Sequence, residues 1–275
     1  MIHQEHRIES TKHDLAITFD IRFEAGNDLP LIIFLHGFKG FKDWGHFNLI
    51  ASYLASHGFA VLKMNFSHNG TSPDDLHNFV DLDAFGNNNF TKELSDIDDV
   101  LDYIHKEFHY FIDLNQIFLL GHSKGGATAI IKSNESEVIK KTATLASVIK
   151  LKERYAGDLE NWKKEGVLYV PNARTNQNMP LFYQLAEDVM DNESRFNVES
   201  IIKDYHKPLL MLHGAKDETV KLEEFLAVKE LNKEVDTYLI PDTNHTFDGS
   251  HPFEEDNLHI YTVEALDKVI EFFKK

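Results

Sequence analysis

Gln116-Ile117-Phe118-Leu119-Leu120-Gly121-His122-Ser123-Lys124-Gly125-Gly126-Ala127-Thr128-Ala129-Ile130 is the stretch from which the rest of the chain is read. Ile117 to Leu120 is an uninterrupted apolar run, the pattern of a strand buried on both faces. Gly121, Ser123 and Gly125 then spell G-x-S-x-G, and Ala127, Ala129, Ile130 and Ile131 continue as a buried helix. A turn sharp enough to hold Ser123 Oγ clear of a sheet strains the serine backbone and leaves no room for a Cβ at positions 121 and 125. The helix that follows aims unpaired N–H groups at the same point, where a developing oxyanion is stabilised. A chance glycine-rich helix start is the bland alternative; the flanking strand and helix favour a nucleophilic serine.

Working outward, strands and helices alternate. Residues 2 to 24 hold two weakly alternating segments, Ile2 to Ser10 and Leu15 to Phe23, which predict an antiparallel hairpin at a sheet edge. Leu31 to Leu35 predicts a buried strand, Phe47, Ile50, Ala51 and Leu54 a helix stopped at Gly58, and Phe59 to Phe66 another strand. Ser67 to Lys92 is polar and irregular, a long loop of the kind that usually carries function. Leu94, Ile97, Leu101 and Ile104 mark an amphipathic helix, with Asp96, Asp98, Asp99 and Asp102 expected on its solvated face. Thr142 to Val148 predicts a strand after the nucleophile helix. The alternation resumes at Leu209 to Leu212 with a helix around Phe225 to Leu231, a strand at Thr237 to Ile240 and a last helix carrying Leu266, Val269, Ile270 and Phe273. This rhythm predicts an α/β fold with a mostly parallel central sheet and helices on both faces. Residues 150 to 204 break it, with a helix expected near Leu181 to Val189. They are expected to form a small cap insertion over the carboxyl ends of the strands, within one domain spanning residues 1–275.

Composition narrows the function classes. Lys and Arg total 28 against 45 Asp and Glu, a formal net charge of −17, which argues against nucleic acid as a main partner. The absence of cysteine excludes disulfides, thiolate metal sites and a cysteine nucleophile. No apolar leader follows Met1, and no apolar run approaches the ~20 residues of a membrane span, so a cytoplasmic protein is expected.

Ligands of an open α/β sheet bind beyond the carboxyl ends of its strands. Four candidate ends carry polar groups: His36-Gly37-Phe38, then Ser123, then His213-Gly214-Ala215-Lys216-Asp217, then Asp242-Thr243-Asn244-His245. They deliver a loop of N–H donors, a nucleophile, an acid and a base, in the order Ser, Asp, His.

These residues resemble the α/β-hydrolase superfamily of serine hydrolases, and in particular its compact esterase and serine-aminopeptidase-like branch. Gly121-His122-Ser123-Lys124-Gly125 is similar to the nucleophile elbow, His36-Gly37-Phe38 to the oxyanion loop, His213-Gly214-x-x-Asp217-x-x-Val220 to the acid loop, and Asn244-His245-x-Phe247 to the base loop. The likeness runs from about residue 30 to the C-terminus. It implies Ser123 as nucleophile, His245 as general base and Asp217 as the carboxylate that orients it, with the backbone N–H groups of Phe38 and Lys124 as the oxyanion hole. It implies no metal and no cofactor, and a small-molecule ester substrate. Two positions depart from the common pattern. Lys124 replaces a frequent Gln or Met, with its charge expected in solvent and a preference for acidic substrates as the alternative, and Asn65 to Ser72 stands where many relatives carry Arg-Gly-x-Gly-x-Ser.

Rival assignments are specific. His36 and His213 close strands and are expected to be structural, and His122 need not face the nucleophile. Asp242 competes with Asp217 for the acid, and His68, His77, Asp81 and Asp83 could be metal ligands in the long loop, although their spacing is not diagnostic. Three functions are weighed: hydrolysis of a small or medium carboxylic ester, peptide or amide cleavage of the serine-aminopeptidase type, and non-catalytic ligand binding on the same fold.

Overall fold

In the computed structural model, which describes residues 1–275, the chain begins with β1 (Ile2–Glu9), β2 (Ala16–Phe23) and β3 (Leu29–Leu35). It continues through α1 (Phe47–Ser56), β4 (Ala60–Asn65), α2 (Leu82–Gly86), α3 (Phe90–Glu107), β5 (Ile112–His122), α4 (Lys124–Glu135) and β6 (Ile139–Leu145). Then come α5 (Leu151–Tyr155), α6 (Leu159–Glu165), β7 (Val167–Asn172), β8 (Gln177–Phe182), α7 (Gln184–Asp191), α8 (Glu193–Phe196) and α9 (Val198–Lys203). The chain closes with β9 (Leu209–Gly214), α10 (Leu222–Leu231), β10 (Asp236–Ile240) and α11 (Ile260–Lys274). Eight strands form one sheet in the order β1-β2-β4-β3-β5-β6-β9-β10. The β1–β2 and β2–β4 pairings are antiparallel and the rest are parallel. The expected mostly parallel α/β sheet is therefore present, and its N-terminal hairpin lies at the edge. No helix is long and apolar enough to cross a membrane.

The unbroken apolar runs follow from double-sided burial. In β3, Ile32 and Phe34 join a cluster with Phe47 and Leu54 of α1 and Leu266 and Phe273 of α11. Leu31, Ile33 and Leu35 point the other way, into a cluster with Ile97, Val100 and Ile104 of α3. Alternation along a strand sends neighbours to opposite faces, so a strand covered on both sides needs apolar residues at every position.

Four expectations change. Asp98 and Asp102 of α3 are exposed, but Asp96 and Asp99 are buried. Ser67 and the turn at Ser10–Thr11 fold over that flank of the helix. Ser67 donates both its N–H and its Oγ–H to Asp96, at 2.7 and 2.8 Å, while Thr11 N–H reaches Asp99 at 2.9 Å. The 67–92 stretch is also more ordered than a plain loop. Asp81 caps α2, and Asn89 caps α3 by accepting from Lys92 N–H, which gives the Asn87-Asn88-Asn89 run a structural use. Within 150–204, Leu181 and Phe182 belong to β8, not to a helix, because they pair with Leu168 and Val167 in a two-stranded hairpin. β6 also ends earlier than expected, at Leu145, since Ala146 turns with φ 52°.

A second buried polar group ties the edge of the sheet to the loop after β3. Asp20 of β2 accepts from Lys42 Nζ at 3.0 Å and lies 3.1 Å from Lys63 Nζ, and Asp43 receives the same two lysines at 2.5 and 2.6 Å. Burial alone would raise Asp43, but Lys63 and Lys42 outweigh it and hold its carboxyl at about 2. Breaking such a pair from one side typically costs about 3–5 kcal/mol, so the loop carrying residues 36 to 46 is firmly anchored.

Asp96 gives a test of this interior. Burial, reinforced by the charges of Glu93 and Asp99 and only partly opposed by Ser67, pushes its carboxyl up to about 7. Its unfolded value is near ~3.9, so between about pH 4 and 7 the folded chain holds a proton that the unfolded chain lacks, and the contribution of Asp96 to stability falls as pH rises through that window. Asp96→Asn, which keeps an acceptor for Ser67, is expected to gain stability over wild type across the window by up to ~1.4 kcal/mol per pH unit. Urea unfolding of both proteins at about pH 4.5 and about pH 7.5 checks this; a pH-independent difference would show Asp96 ionised throughout.

Candidate active site

Ser123 sits at φ 56° and ψ −119°, between the end of β5 and the first residue of α4. This is the left-handed region that a non-glycine residue adopts only when its surroundings impose it. Those surroundings are backbone. A Cβ on Gly121 would lie 2.2 Å from the Gly125 carbonyl oxygen, and a Cβ on Gly125 would lie 2.4 Å from the Leu35 oxygen. Ser123 N–H donates to Leu145 O at 2.9 Å, and the Ser123 carbonyl accepts from Gly126 N–H at 2.9 Å. Ser123 Oγ thus stands at the carboxyl ends of β3, β5 and β6.

The loop after β10 brings His245 to it. His245 Nε2 is 3.0 Å from Ser123 Oγ, and Nδ1 is 2.8 Å from Asp217 Oδ2. Asp217 lies in the turn after β9 with a fully buried carboxylate, whose other oxygen accepts from Thr219 N–H at 2.8 Å and Val220 N–H at 2.9 Å. Burial would raise the Asp217 carboxyl, but the hydrogen bond and charge of His245, with the Val220 and Thr219 donors, leave it below the usual carboxylate range. The side chains of Ser123, His245 and Asp217 therefore meet in one hydrogen-bonded row. The backbone N–H groups of Phe38 and Lys124 donate to no backbone acceptor, and both residues line a cavity with Ser123.

The rival residues fall elsewhere. Asp242 is exposed and pairs with Lys216 at 2.9 Å. His36 is buried with Nδ1 against Gly37 O at 2.9 Å, and burial pushes its imidazole down to about 4. His213 is buried with Nε2 3.2 Å from Val220 O, and lies 3.7 Å from Asp217. His122 does approach the row: its Nε2 donates to His245 O at 2.9 Å and its ring lies 4.9 Å from the His245 ring. Burial, then repulsion from His245, pushes His122 down to about 3, so it holds the His245 loop as a neutral donor. Among His68, His77, Asp81 and Asp83, no group of three potential metal ligands gathers. His68 bonds to Ser67 Oγ at 2.8 Å.

Two cavities open on Ser123. The larger, of about 570 Å³, is lined by Val148, Tyr155, Trp162, Val170 and Leu181 together with Arg154 and Asp158. The smaller, of about 320 Å³, lies between Trp44, Phe47, Asn172 and Arg174. Lys39 lines both. Lys39 could have been found from the sequence, since it directly follows His36-Gly37-Phe38. The placing of Arg154 and Arg174 depends on how residues 150 to 204 pack, which no local pattern records.

The prolyl oligopeptidase family pattern matches residues 45–262. The chain belongs to the prolyl oligopeptidase family. It is accordingly a serine hydrolase of the α/β-hydrolase fold. Among solved structures, this family member is similar to Est1E from Butyrivibrio proteoclasticus with ferulic acid bound: 23% identity, 98% of this chain and 100% of that one covered, TM-score 0.74. The α/β hydrolase GrgF from Penicillium sp. sh18 is 13% identical over 100% of this chain and 98% of that one, with TM-score 0.74. The acylaminoacyl peptidase of Pyrococcus horikoshii is 18% identical over 100% of this chain but 41% of its own length, with TM-score 0.68. None of the curated proteins compared matches the sequence significantly.

The Lys124 side chain departs from expectation: it is buried, not in solvent. Its Nζ lies 2.5 Å from Glu93 Oε1 and 4.6 Å from the centre of the Phe90 ring, and Thr128 Oγ1 donates to the other Glu93 oxygen at 3.1 Å. The charge is neutralised inside the protein, and α4 is braced against α3 directly behind the serine. Lys124→Met should strand a buried carboxylate and lose about 3 kcal/mol of stability, while Lys124→Met with Glu93→Gln should regain most of it. Urea unfolding of the single and double variants checks the coupling; equal losses in both would show that the pair is not what holds the helices together.

Proposed function

We propose that the chain hydrolyses carboxylic esters through Ser123, His245 and Asp217. The observation that carries this reading is the row from Asp217 Oδ2 through His245 to Ser123 Oγ, at 2.8 and 3.0 Å, ending beside two backbone N–H groups with no backbone acceptor. Ser123 Oγ attacks the acyl carbonyl while His245 Nε2 takes its proton. The Phe38 and Lys124 N–H groups receive the oxyanion, one such donor being worth about 3 kcal/mol in comparable sites. His245 then returns the proton to the departing alkoxide, and water repeats the sequence on the acyl-enzyme to release acid and free Ser123. Asp217 keeps Nδ1 protonated and faces the imidazolium.

Ester is favoured over the aminopeptidase alternative by charge. A free peptide N-terminus needs a carboxylate to receive its ammonium group. The smaller cavity has no carboxylate, and Asp158 in the larger one is exposed and caps α6 through Asn161 N–H. The ferulic acid bound to Est1E supports a small aromatic acid as product. Amide cleavage stays as the second reading, because of the family itself and the likeness to an acylaminoacyl peptidase. Residues 150 to 204 act in this proposal as a cap that shapes the pocket, since Tyr155, Trp162, Val170 and Leu181 all come from it.

Ser123→Ala should fold and lose nearly all activity, and a fluorophosphonate should attach at Ser123 and nowhere else. Asp217→Asn should cut the rate by ~10⁴ through the wrong imidazole tautomer, as in other triads of this geometry, with Asp242→Asn near wild type. Parallel assays on 4-nitrophenyl esters and aminoacyl 4-nitroanilides check these and rank ester against amide. An adduct on another residue, or a crippled Asp242→Asn beside an active Asp217→Asn, rejects the assignment.

For the cap, Trp162 is the informative position. Of the three aromatics Trp162, Phe182 and Tyr183, it alone lines the larger cavity, while Phe182 packs on Gly86 and Tyr183 lies against the Trp162 ring at 6.2 Å. Trp162→Ala should move the acyl chain-length optimum to longer esters while changing acetyl ester turnover much less. An unchanged chain-length profile in a folded variant counts against the cap as specificity element.

A further inference from the structure

The smaller cavity has a charge pattern at odds with the rest of the molecule. The chain carries a formal net charge of −17, yet the lining beside Ser123 contains Lys39 and Arg174 and neither Asp nor Glu. The polar contacts these two side chains make are to neutral backbone carbonyls. Lys39 Nζ donates to Pro171 O at 3.1 Å and Arg174 Nη2 to Lys39 O at 3.3 Å. The Arg174 guanidinium is wedged 5.8 Å from the ring centres of Phe41 and Phe79. Burial pushes the Lys39 ammonium down and the Arg174 charge pushes it further, while burial also lowers Arg174. The same positive field reaches His251, lowered by burial and then by Arg174 and His77. Two half-buried like charges without a counter-ion are unfavourable, and the fully buried lysines do otherwise: Lys42, Lys63 and Lys124 all have carboxylates within 3.0 Å. Lys39 is moreover held at φ 55°, on the loop that supplies the Phe38 N–H.

We propose that this cavity is an anion-recognition subsite, and that the substrate is an ester whose substituent on this side of the scissile carbonyl ends in a carboxylate held between Lys39 and Arg174. The inference rests on Ser123 being the nucleophile. Guanidinium and ammonium donors converging from two segments suit a carboxylate oxygen pair, and charge-assisted hydrogen bonds are the strong ones. The substrate is then either a half-ester of a dicarboxylic acid or an ester of a hydroxy acid.

Matched pairs on the full-length protein test this. The acyl arm compares 4-nitrophenyl monoglutarate with its methyl ester; the alcohol arm compares 4-acetoxybenzoate with its methyl ester. The ratio of kcat/KM, charged over neutral, is expected to exceed about tenfold in one arm. That ratio should collapse in Arg174→Gln and in Lys39→Gln, which sit on different segments, and survive largely in Arg174→Lys. The arm that responds tells which substituent carries the charge. A ratio at or below one in both arms, or one that persists in both glutamine variants, overturns the subsite and leaves the two cations as braces for the β7–β8 hairpin. Calorimetry on Ser123→Ala, with monomethyl against dimethyl glutarate and 4-acetoxybenzoate against its methyl ester, reads the subsite without catalysis in both arms. Binding of the charged ligand alone in either pair, lost with Arg174→Gln, supports it; no preference for the charged ligand in both pairs overturns it. Absence of fluorophosphonate labelling at Ser123 in wild type would instead reject the nucleophile, with the calorimetric preference still judging the subsite.

Discussion

The turn from β5 into α4 brings main chain against main chain. Gly125 lies so close to the carbonyls of Leu35 and His36 that a Cβ would intrude to 2.4 and 2.5 Å, and Gly121 is equally close to Gly125. Three elements are fixed by this contact: the end of β3, the end of β5 and the start of α4. The two N–H groups proposed to receive an oxyanion, on Phe38 and Lys124, emerge from the two sides of the same contact. Their spacing is set by backbone packing instead of by side chains that can rotate. The strained serine conformation is a by-product of the same crowding, and β6 secures it through the Leu145 carbonyl.

Charge is then used in two distinct ways around this point. Behind the serine, Lys124 and Glu93 neutralise one another between α3 and α4, and under the β3 loop Lys42 and Lys63 are matched by Asp20 and Asp43. These cations fasten elements whose neighbours are otherwise held by apolar contacts, and leaving either side unpaired would be expensive. In front of the serine, Lys39 and Arg174 are given only carbonyl partners. The contrast lies within one protein and one loop, since residues 39 and 42 are three apart.

How far the sequence could be read depended on how each residue is buried. β3, β4, β5 and β9 are covered on both faces, so their apolar runs announce them, and the residues beyond the carboxyl ends of β5, β9 and β10 supplied Ser123, Asp217 and His245 in order. The structure brings those three together. The reading failed where burial comes from a distant loop. Asp96 and Asp99 have the spacing of an outer helix face, and only the arrival of Ser67 and the Ser10–Thr11 turn makes that face an interior one. Lys124 looks like a surface lysine until Glu93, 31 residues earlier, is seen to meet it. The β7–β8 hairpin did leave a signal in Val167-Leu168-Tyr169-Val170 followed by the polar turn through Asn176. The helical reading of Leu181 and Phe182 obscured it.

The strand order also governs when the site comes into being. Ser123 and His245 are 122 residues apart, and the proposed acid and base arrive only with β9 and β10, at the far edge of the sheet. α11, whose Phe273 ring stacks on Phe118 of β5 at 4.8 Å, covers that face last. A chain still leaving the ribosome can therefore present the finished elbow with nothing to deprotonate it. If Ser123, His245 and Asp217 act as proposed, the nascent polypeptide lacks its acid and base until the loops after β9 and β10 have been made. On the same proposal, a chain truncated before His245 is inactive instead of loose and promiscuous.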